Sequence, residues 1–173
     1  MGQIAVNKVT DATVFMDNIS QLGLAEEVDL PTVEMEVSEH SALGMIGTYE
    51  TPTSLNALET RIKWAGQSRE VARRAFNPRK VYDFQIRSII EQYSGTLDVV
   101  EIGIKNFIKG RFKSNDAGKF SPKTPVDNES LISVSYFRQE IDGVETVLID
   151  VPNNIYRVDG VDIYANRRNL LGI

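Results

Sequence analysis

Apolar and polar residues alternate over much of this chain, and two alternating runs in its N-terminal half frame its most unusual segment. The first run is Thr32–Ser38 and the second is Ala57–Trp64. Alternation with a period of two predicts β-strands with one buried face. In the first run Val33, Met35 and Val37 oppose Glu34 and Glu36; in the second, Leu58, Thr60, Ile62 and Trp64 oppose Ala57, Glu59, Arg61 and Lys63.

The segment between these runs, Glu39–Asn56, is far longer than the roughly two to five residues of a typical hairpin turn. It also carries apolar residues that a soluble monomer has no good place to bury. We therefore expect a long loop that packs against a neighbouring molecule. The residues concerned are Leu43, Gly44, Met45, Ile46 and Tyr49.

Further alternating or apolar runs predict strands along the rest of the chain. The dipeptide Asp142-Gly143 separates two of them and is typical of a hairpin turn. One helix is expected over Ser68–Phe76, with Ser68 as its N-cap, and Asn77-Pro78 ends it. The last run, Val161–Leu170, is of mixed character. The additional strands are expected at Asp11–Asp17, Val81–Ile90, Val99–Lys113, Leu131–Ile141, Glu145–Val151 and Ile155–Val158.

Many short strands, one helix and no regular alternation of strand with helix indicate a mainly β protein. The expected fold is an antiparallel β-barrel or sandwich with one short flanking α-helix and a long inter-strand loop. The turn-rich segment Asn115–Asn128 leaves about 45 residues after it, too few for an independent domain. Residues 1–173 are therefore expected to form a single domain.

Composition and charge exclude several classes of function. The chain is 42% hydrophobic and 25% charged, as in ordinary soluble globular proteins. No apolar run is long enough to span a membrane, and no secretory signal is visible. There is no cysteine and one histidine, which excludes thiol nucleophiles, thiolate metal sites and multi-histidine centres. The formal net charge of −5 argues against a protein built to grip nucleic acid.

Two acidic pairs are the first candidates for catalysis. Glu34 and Glu36 are expected on one strand face, and Glu26 adjoins Glu27, so a small carboxylate-dependent hydrolase is one interpretation. A solvated strand face explains the same pattern without chemistry.

His40 lies near Ser38 and Ser41, but adjacency in sequence is not the geometry of a catalytic triad. The Asp-Gly dipeptides lack a spaced series of calcium ligands, and no glycine-rich phosphate loop occurs. We therefore predict no catalytic residue, no cofactor and no metal site.

A cationic face on the run Val99–Lys113 is the one feature that favours nucleic acid. A nucleic-acid-binding barrel would interleave aromatic residues with these cations, whereas Phe107 and Phe112 are predicted on opposite faces. An ordinary surface or a salt-bridged subunit interface is the simpler interpretation. The apolar face comprises Val100, Ile102, Ile104, Ile108 and Phe112, and the cationic face comprises Lys105, Lys109, Arg111 and Lys113, with Glu101 and Phe107.

Three segments together resemble the major tail tube protein family of contractile-tailed bacteriophages and R-type pyocins. Residues 28–64 resemble the family's Leu-Pro strand, Gly-Met loop and Leu-Glu strand. Residues 133–162, SVSYFRQEIDGVETVLIDVPNNIYRVDGVD, resemble its Ser-Tyr-Tyr strand and Asp-Gly hairpin. The ending ANRRNLLGI resembles its Arg-x-x-Leu-Gly-aliphatic C-terminus. The sequence departs from the family pattern at ATVFMDN and agrees only in general pattern over 67–95.

The resemblance implies a structural protein rather than an enzyme. It implies a homo-hexameric ring that stacks with others into the inner tail tube within a contractile sheath, located in the virion tail and assembled in the host bacterial cytoplasm. Implied partners are the sheath, baseplate and tail-terminator proteins. The tape measure protein and DNA would pass through the lumen without specific binding, and no membrane anchor is expected.

An acidic lumen would repel DNA during transit, so we hypothesise that Glu34, Glu36 and Glu59 face the lumen. The long loop would then contact an adjacent subunit or the next ring. A DNA-free contractile bacteriocin or a type VI secretion-like injection apparatus remains an alternative, because its tube subunit would look the same.

Overall fold

A computed structural model describes residues 6–66, 68–93, 99–118, 121–122 and 128–173. They form many strands and two short helices, and the expectation of a mainly β, antiparallel fold is confirmed. Of the turn-rich segment Asn115–Asn128, residues 119–120 and 123–127 lie outside the described residues. In chain order the elements are β1 (Val6–Met16), β2 (Ile19–Ser20), β3 (Ala25–Asp29), β4 (Met35–His40), β5 (Tyr49–Leu55), β6 (Leu58–Trp64), α1 (Arg69–Ala75), β7 (Tyr82–Tyr93), β8 (Val99–Asn115), β9 (Asn128–Ile141), β10 (Val144–Asp150), β11 (Ile155–Val158), β12 (Val161–Asp162) and α2 (Ala165–Leu171).

The large sheet has ten strands and forks at β9. Its main path is β12-β11-β10-β9-β8-β7-β1-β2, and β6 and β3 form the branch. One edge of β9 pairs with β8, while the other pairs with β6 over Asn128–Val134 and with β10 over Tyr136–Ile141. The change of partner occurs at Ser135, whose carbonyl accepts the N–H of Val151 at 3.0 Å. The fork brings both arms of the sheet around the same hydrophobic core.

Alternation places the core residues on β7 and β8 as the sequence predicts. Tyr82, Phe84 and Ile86 are buried on β7, and Ile108 and Phe112 are buried on β8. The Phe112 ring packs edge-on against the rings of Tyr82 and Phe84, with centroids 5.7 Å apart in each pair. Toward the N-terminal end of β8 the side chains become less buried, and Val100 is exposed rather than buried.

Strand β6 also matches its prediction. Leu58, Thr60, Ile62 and Trp64 are all buried, and the intervening residues face outward. The indole Nε1–H of Trp64 donates to Ser130 Oγ at 2.9 Å, and that hydroxyl donates to Asn115 Oδ1 at 2.6 Å. The buried polar groups of β6, β9 and β8 are thereby linked at the edge of the core, where an unpaired donor would be costly.

Tight turns occur where Asp-Gly dipeptides predict them. Asp142 and Gly143 have φ of 51° and 77°, and Asp159 and Gly160 have φ of 48° and 78°. Two successive left-handed residues are characteristic of the two-residue turns that match the twist of a hairpin. The β9–β10 hairpin closed at Asp142-Gly143 is therefore confirmed.

The helices agree only in part with expectation. Helix α1 confirms the first prediction, although Ser68 has the extended backbone of an N-cap without a side-chain capping bond. The expectation of one helix was wrong, because Ala165–Leu171 forms α2. Its C-terminus is ended by Gly172 at φ 71°, and the N–H of Ile173 bonds back to the Arg168 carbonyl at 3.2 Å.

The interpretation of Glu39–Asn56 as a loop was also wrong. Strand β4 does not pair with β6; it pairs with β5, which lies inside that segment. The hydroxyls of Thr51 and Thr53 donate across the pair to the carbonyls of Ser38 and Glu36. Neither face of this pair is buried, so the prediction of a buried face on the run Thr32–Ser38 was wrong. Strand β5 also lacks the apolar-polar alternation by which a strand is found in sequence.

Candidate assembly surface

The β4–β5 hairpin projects from the rest of the subunit. It forms a separate two-stranded sheet, here called the projecting hairpin (residues 35–55), and residues 36–54 are all exposed. Its tip is residues 41–48, where the Met45 N–H donates to the Ala42 carbonyl at 3.1 Å and Gly44 adopts φ 90°. Leu43 and Ile46 are as exposed as side chains in an extended chain. Because monomers rarely expose apolar side chains so completely in a cluster, the tip has the character of a contact surface.

The projecting hairpin is acidic as well as apolar. From residue 9 to residue 60 the chain has ten carboxylates and no lysine or arginine. Glu39 lies directly opposite Glu50 across the hairpin, a like-charge pair that is unfavourable in isolation. Glu36 Oε2 accepts a hydrogen bond from Ser54 Oγ at 2.8 Å. No cation within this hairpin offsets its charge.

The three carboxylates predicted to face a lumen lie at three separate places: one before β4, one on β4 and one on β6. Glu34 precedes β4, and its carbonyl accepts the Asn56 N–H at 2.9 Å. Glu36 lies near the base of the projecting hairpin. Glu59 lies on the outward face of β6, where its carboxylate pairs with Lys113 Nζ at 2.5 Å. Only Glu59 is thus partly neutralised by a cation within the subunit.

Two of the four cations on the cationic face of β8 form ion pairs within the subunit. Lys109 lies 3.7 Å from Asp83, and Lys113 contacts Glu59. The Arg138 guanidinium stacks 4.3 Å from the Phe107 ring centroid, and Phe112 is buried on the opposite face. Of the two phenylalanines of this strand, only Phe107 lies on the cationic face, as the sequence predicts, and its ring is covered by Arg138.

The described residues show no arrangement for catalysis. His40 lies opposite Tyr49 at the end of β4 and has no serine hydroxyl bonded to it among the described contacts. Within the described ranges no three His, Asp or Glu side chains are grouped to hold a metal. None of the helices in the described part is long and apolar enough to cross a membrane.

A groove of about 310 Å³ lies at the base of the projecting hairpin. Its walls are β5, the β10–β11 segment and α2, and Ile149 at its floor is buried. The groove could not be predicted from the sequence, because one of its walls is α2, a helix that was not predicted. Its apolar lining includes Leu55, Ile149, Val151, Ile155, Tyr156, Tyr164, Leu171 and Ile173, with Arg167 and Arg168 also lining it.

One ion pair holds α2 beside this groove. Arg168 Nη2 lies 2.6 Å from Asp162 Oδ2, and Arg168 Nη1 donates to the Asn154 carbonyl at 2.8 Å. The hydrogen bond from Arg168 lowers the pKa of the Asp162 carboxyl, with help from the backbone N–H of Tyr164. The guanidinium carbon of the neighbouring Arg167 lies 5.8 Å from the centroid of the Tyr164 ring, and no described carboxylate pairs with this arginine.

Comparisons with known proteins agree with this architecture. The family model described as phage tail tube protein FII matches residues 6–172. The tail tube protein of Escherichia phage P2 is 30% identical over 167 residues, covering 92% of this chain and 94% of that protein.

Two solved structures share the fold at 8% identity, and both cover 75% of this chain. One is the sheath/tube terminator of an extracellular contractile injection system, with a TM-score of 0.56 over 92% of that chain. The other is from the sheath–tube complex of such a system, with a TM-score of 0.54 over 87% of that chain.

The antiparallel fold and the family match define a structural tail tube protein, a component of the virion tail rather than an enzyme. The chain belongs to the phage tail tube protein FII family. The resemblance noted in the sequence is thereby confirmed.

Proposed function

We propose that this protein forms hexameric rings that stack into the inner tail tube of a contractile-tailed phage. The tube is a conduit for DNA ejection inside a contractile sheath. The observation that carries the proposal is the projecting hairpin, whose exposed Leu43 and Ile46 call for a neighbouring subunit. Leu43, Gly44, Met45, Ile46 and Tyr49 form the contact to an adjacent subunit or the next ring.

Unpaired strand edges support ring formation. Strand β1 pairs with β7 along one edge, but β2 covers its other edge only at Phe15 and Met16 among the described residues. Strand β3 pairs only with β6 within the same residues. Exposed edges of this kind promote uncontrolled pairing, and closing a ring of subunits removes them.

The acidic base of the projecting hairpin faces the lumen in this proposal, while its tip contacts a neighbour. Glu34 and Glu36 lie at the base, beside Asn56 and Ser54. Together with Glu59 they give the lumen wall a negative potential that repels phosphate and lets DNA pass without binding. Six copies multiply the formal net charge of −5.

The proposed partners follow from the same assembly. The chain acts as one domain of 173 residues and meets the sheath on its outer side, the baseplate at one end of the tube and the terminator at the other. The tape measure protein and DNA occupy the lumen. Assembly takes place in the host bacterial cytoplasm.

A tube in a DNA-free contractile bacteriocin or a type VI secretion-like apparatus is the second candidate. The fold shared with the extracellular contractile injection system favours it, because such a tube has the same subunit architecture. The 30% identity to the P2 tail tube protein favours the phage. Particles that contain no DNA would decide for the second candidate.

Electron microscopy of the purified protein in negative stain, with light scattering for mass, tests the proposal. Six-fold rings or hollow tubes of uniform width are the expected result. A protein that remains monomeric at high concentration and also fails to polymerise on isolated baseplates would overturn it.

A further inference from the structure

The tip of the projecting hairpin and the groove beside α2 are complementary surfaces. We infer that the tip of one copy docks into the groove of the next copy, with Leu43 and Ile46 on the apolar lining and Arg167 facing Glu39 and Glu50. The inference rests on the proposed function in one respect, namely that several copies assemble. It adds the receptor site, which the tube role by itself does not specify.

The tip has the shape of an insert. The Ala42–Met45 turn and the left-handed Gly44 make a compact end, with Leu43 and Ile46 fully exposed on it. Gly44 has no atom within 4 Å of the position of an added Cβ, so its role is the turn conformation rather than close packing.

The groove has the size and lining of a receptor for such an insert. Its volume of about 310 Å³ is at the lower end of ordinary small-ligand pockets, and suits a few aliphatic side chains. Leu171 and Ile173 line it and are themselves exposed, so filling the groove would also cover them. The polar groups at its edge include Asp150, whose carboxylate is already engaged by Asn153.

Charge complementarity between the tip and the groove also favours this contact. The opposed Glu39 and Glu50 have no cation within residues 9–60. In the groove, Arg168 is held by Asp162, whereas Arg167 is free of any described ion pair. An Arg167 guanidinium between the two carboxylates would relieve most of their repulsion, with one negative charge among the three groups left uncompensated.

The occupant must come from a second copy. Thr53, Ser54 and Leu55 at the base of the projecting hairpin form one wall of the groove in the same subunit. Six residues of β4 carry the tip about 20 Å from that base, so it cannot fold back into its own groove. Tip and groove are different surfaces, and a contact between them is heterologous, which generates rings or filaments.

The surface around α1 is the competing receptor. It is cationic, with Arg69, Arg73, Arg79 and Lys80, and would attract the acidic hairpin. Its exposed large apolar residues are Phe76 and Val81, and no groove comparable to the one beside α2 is described there. It offers charge without an apolar receptor for Leu43 and Ile46.

Engineered cysteines distinguish the two receptors, since the chain has no cysteine of its own. We expect assembled Leu43→Cys/Leu171→Cys protein to give disulfide-linked dimers and longer ladders on non-reducing gels. The matched control, Leu43→Cys/Phe76→Cys, places the second thiol at the C-terminal end of α1 and is expected to give none. All three positions are exposed, so these variants retain the core.

Charge exchange provides a second test. Arg167→Glu is expected to raise the critical concentration for assembly at least about tenfold, and adding Glu39→Arg to it should restore most of that loss. Arg69→Glu is the control for a change of net charge alone. Tubes that assemble without ladders at position 171, or with ladders at position 76, would overturn the docking site while leaving the tube function intact. Absence of tubes from the unmodified protein under every condition would instead overturn both.

Discussion

Gly110 on β8 lies directly against Ile132 on β9, at the point where the register of the two strands shifts. A Cβ at Gly110 would stand 2.6 Å from Ile132 Cγ2 and 2.6 Å from the Ser133 carbonyl oxygen. The close approach leaves no room for a side chain, because the second contact is backbone. The two longest strands of the sheet therefore depend on a glycine at this position.

Gly110→Ala is expected to destabilise the subunit by about 1–3 kcal/mol, the usual cost of overpacking a tight site. Urea unfolding followed by fluorescence of the sole tryptophan measures it. Gly103→Ala on the same strand is the matched control, since nothing lies within 4 Å of its Cβ position. Equal stability of the two variants would contradict the packing described here.

Ser130→Ala is expected to cost about 1–3 kcal/mol of unfolding free energy. It leaves the buried indole N–H of Trp64 without its acceptor and Asn115 Oδ1 without its donor. The tryptophan emission should shift as well, because the indole loses its hydrogen bond. Ser133→Ala, at an exposed position of the same strand, serves as control; an equally large effect there would argue against the role of the hydrogen-bond chain.

The Asp162–Arg168 pair is expected to make the docking of α2 pH-dependent. The folded-state pKa of Asp162 is lowered, so its stabilising contribution is complete above the unfolded value of about 3.9 and is lost as the pH falls through the lower folded value. The protection factors of the amides over residues 165–171, which are corrected for the slower intrinsic exchange in acid, should fall several-fold in acid and in Asp162→Asn at neutral pH. Glu70→Gln, at an exposed carboxylate of α1, should leave that exchange unchanged. Full protection of α2 in Asp162→Asn would show that the pair does not hold the helix.

Leu43→Ser/Ile46→Ser is expected to abolish tube assembly while changing the free energy of unfolding by less than about 0.5 kcal/mol. Both side chains are fully exposed in the subunit, so their removal affects only contacts between copies. Thermal unfolding and electron microscopy are the two measurements. Leu22→Ser, another highly exposed leucine, is the control for a general loss of surface hydrophobicity. Normal tubes from the double variant would exclude the tip from assembly.

Glu34→Lys/Glu36→Lys is expected to leave rings intact and to impair genome ejection, because a cationic lumen would hold DNA through phosphate contacts. Ejection from particles carrying the variant, measured at two salt concentrations, tests this, and the defect should lessen at higher salt. The Gln versions of both residues are the control for loss of negative charge alone. Unchanged ejection in the Lys variant would remove these residues from the lumen wall.

Alternation determined most of the large sheet, because the two faces of a strand differ whenever one of them is buried. The buried residues of β6 and the central parts of β7 and β8 were predictable for this reason. The Asp-Gly turns were equally predictable, since the left-handed conformation restricts which residues adopt it. The match to a tail tube family likewise followed from local segments in the right order.

Only the tertiary structure decided which strands pair with each other. The runs that frame the unusual segment look like partners in sequence, yet β4 pairs with β5, and β6 pairs with β3 and β9. Alternation states which face of a strand is buried but not which strand lies beside it. A strand exposed on both faces is under no constraint to alternate, so β5 left no pattern to detect, although its partner β4 does alternate.

The C-terminal groove was beyond prediction for a related reason. Helix α2 is only seven residues long and buries none of them fully, so it has no amphipathic period, and short helices depend on tertiary contacts. Its position is set by Arg168 reaching Asp162 and Asn154. The sequence by itself determined the strands, their buried faces and the class of protein. The tertiary structure alone decided that an acidic, apolar-tipped hairpin would project beside an apolar groove, because that arrangement depends on contacts between distant segments.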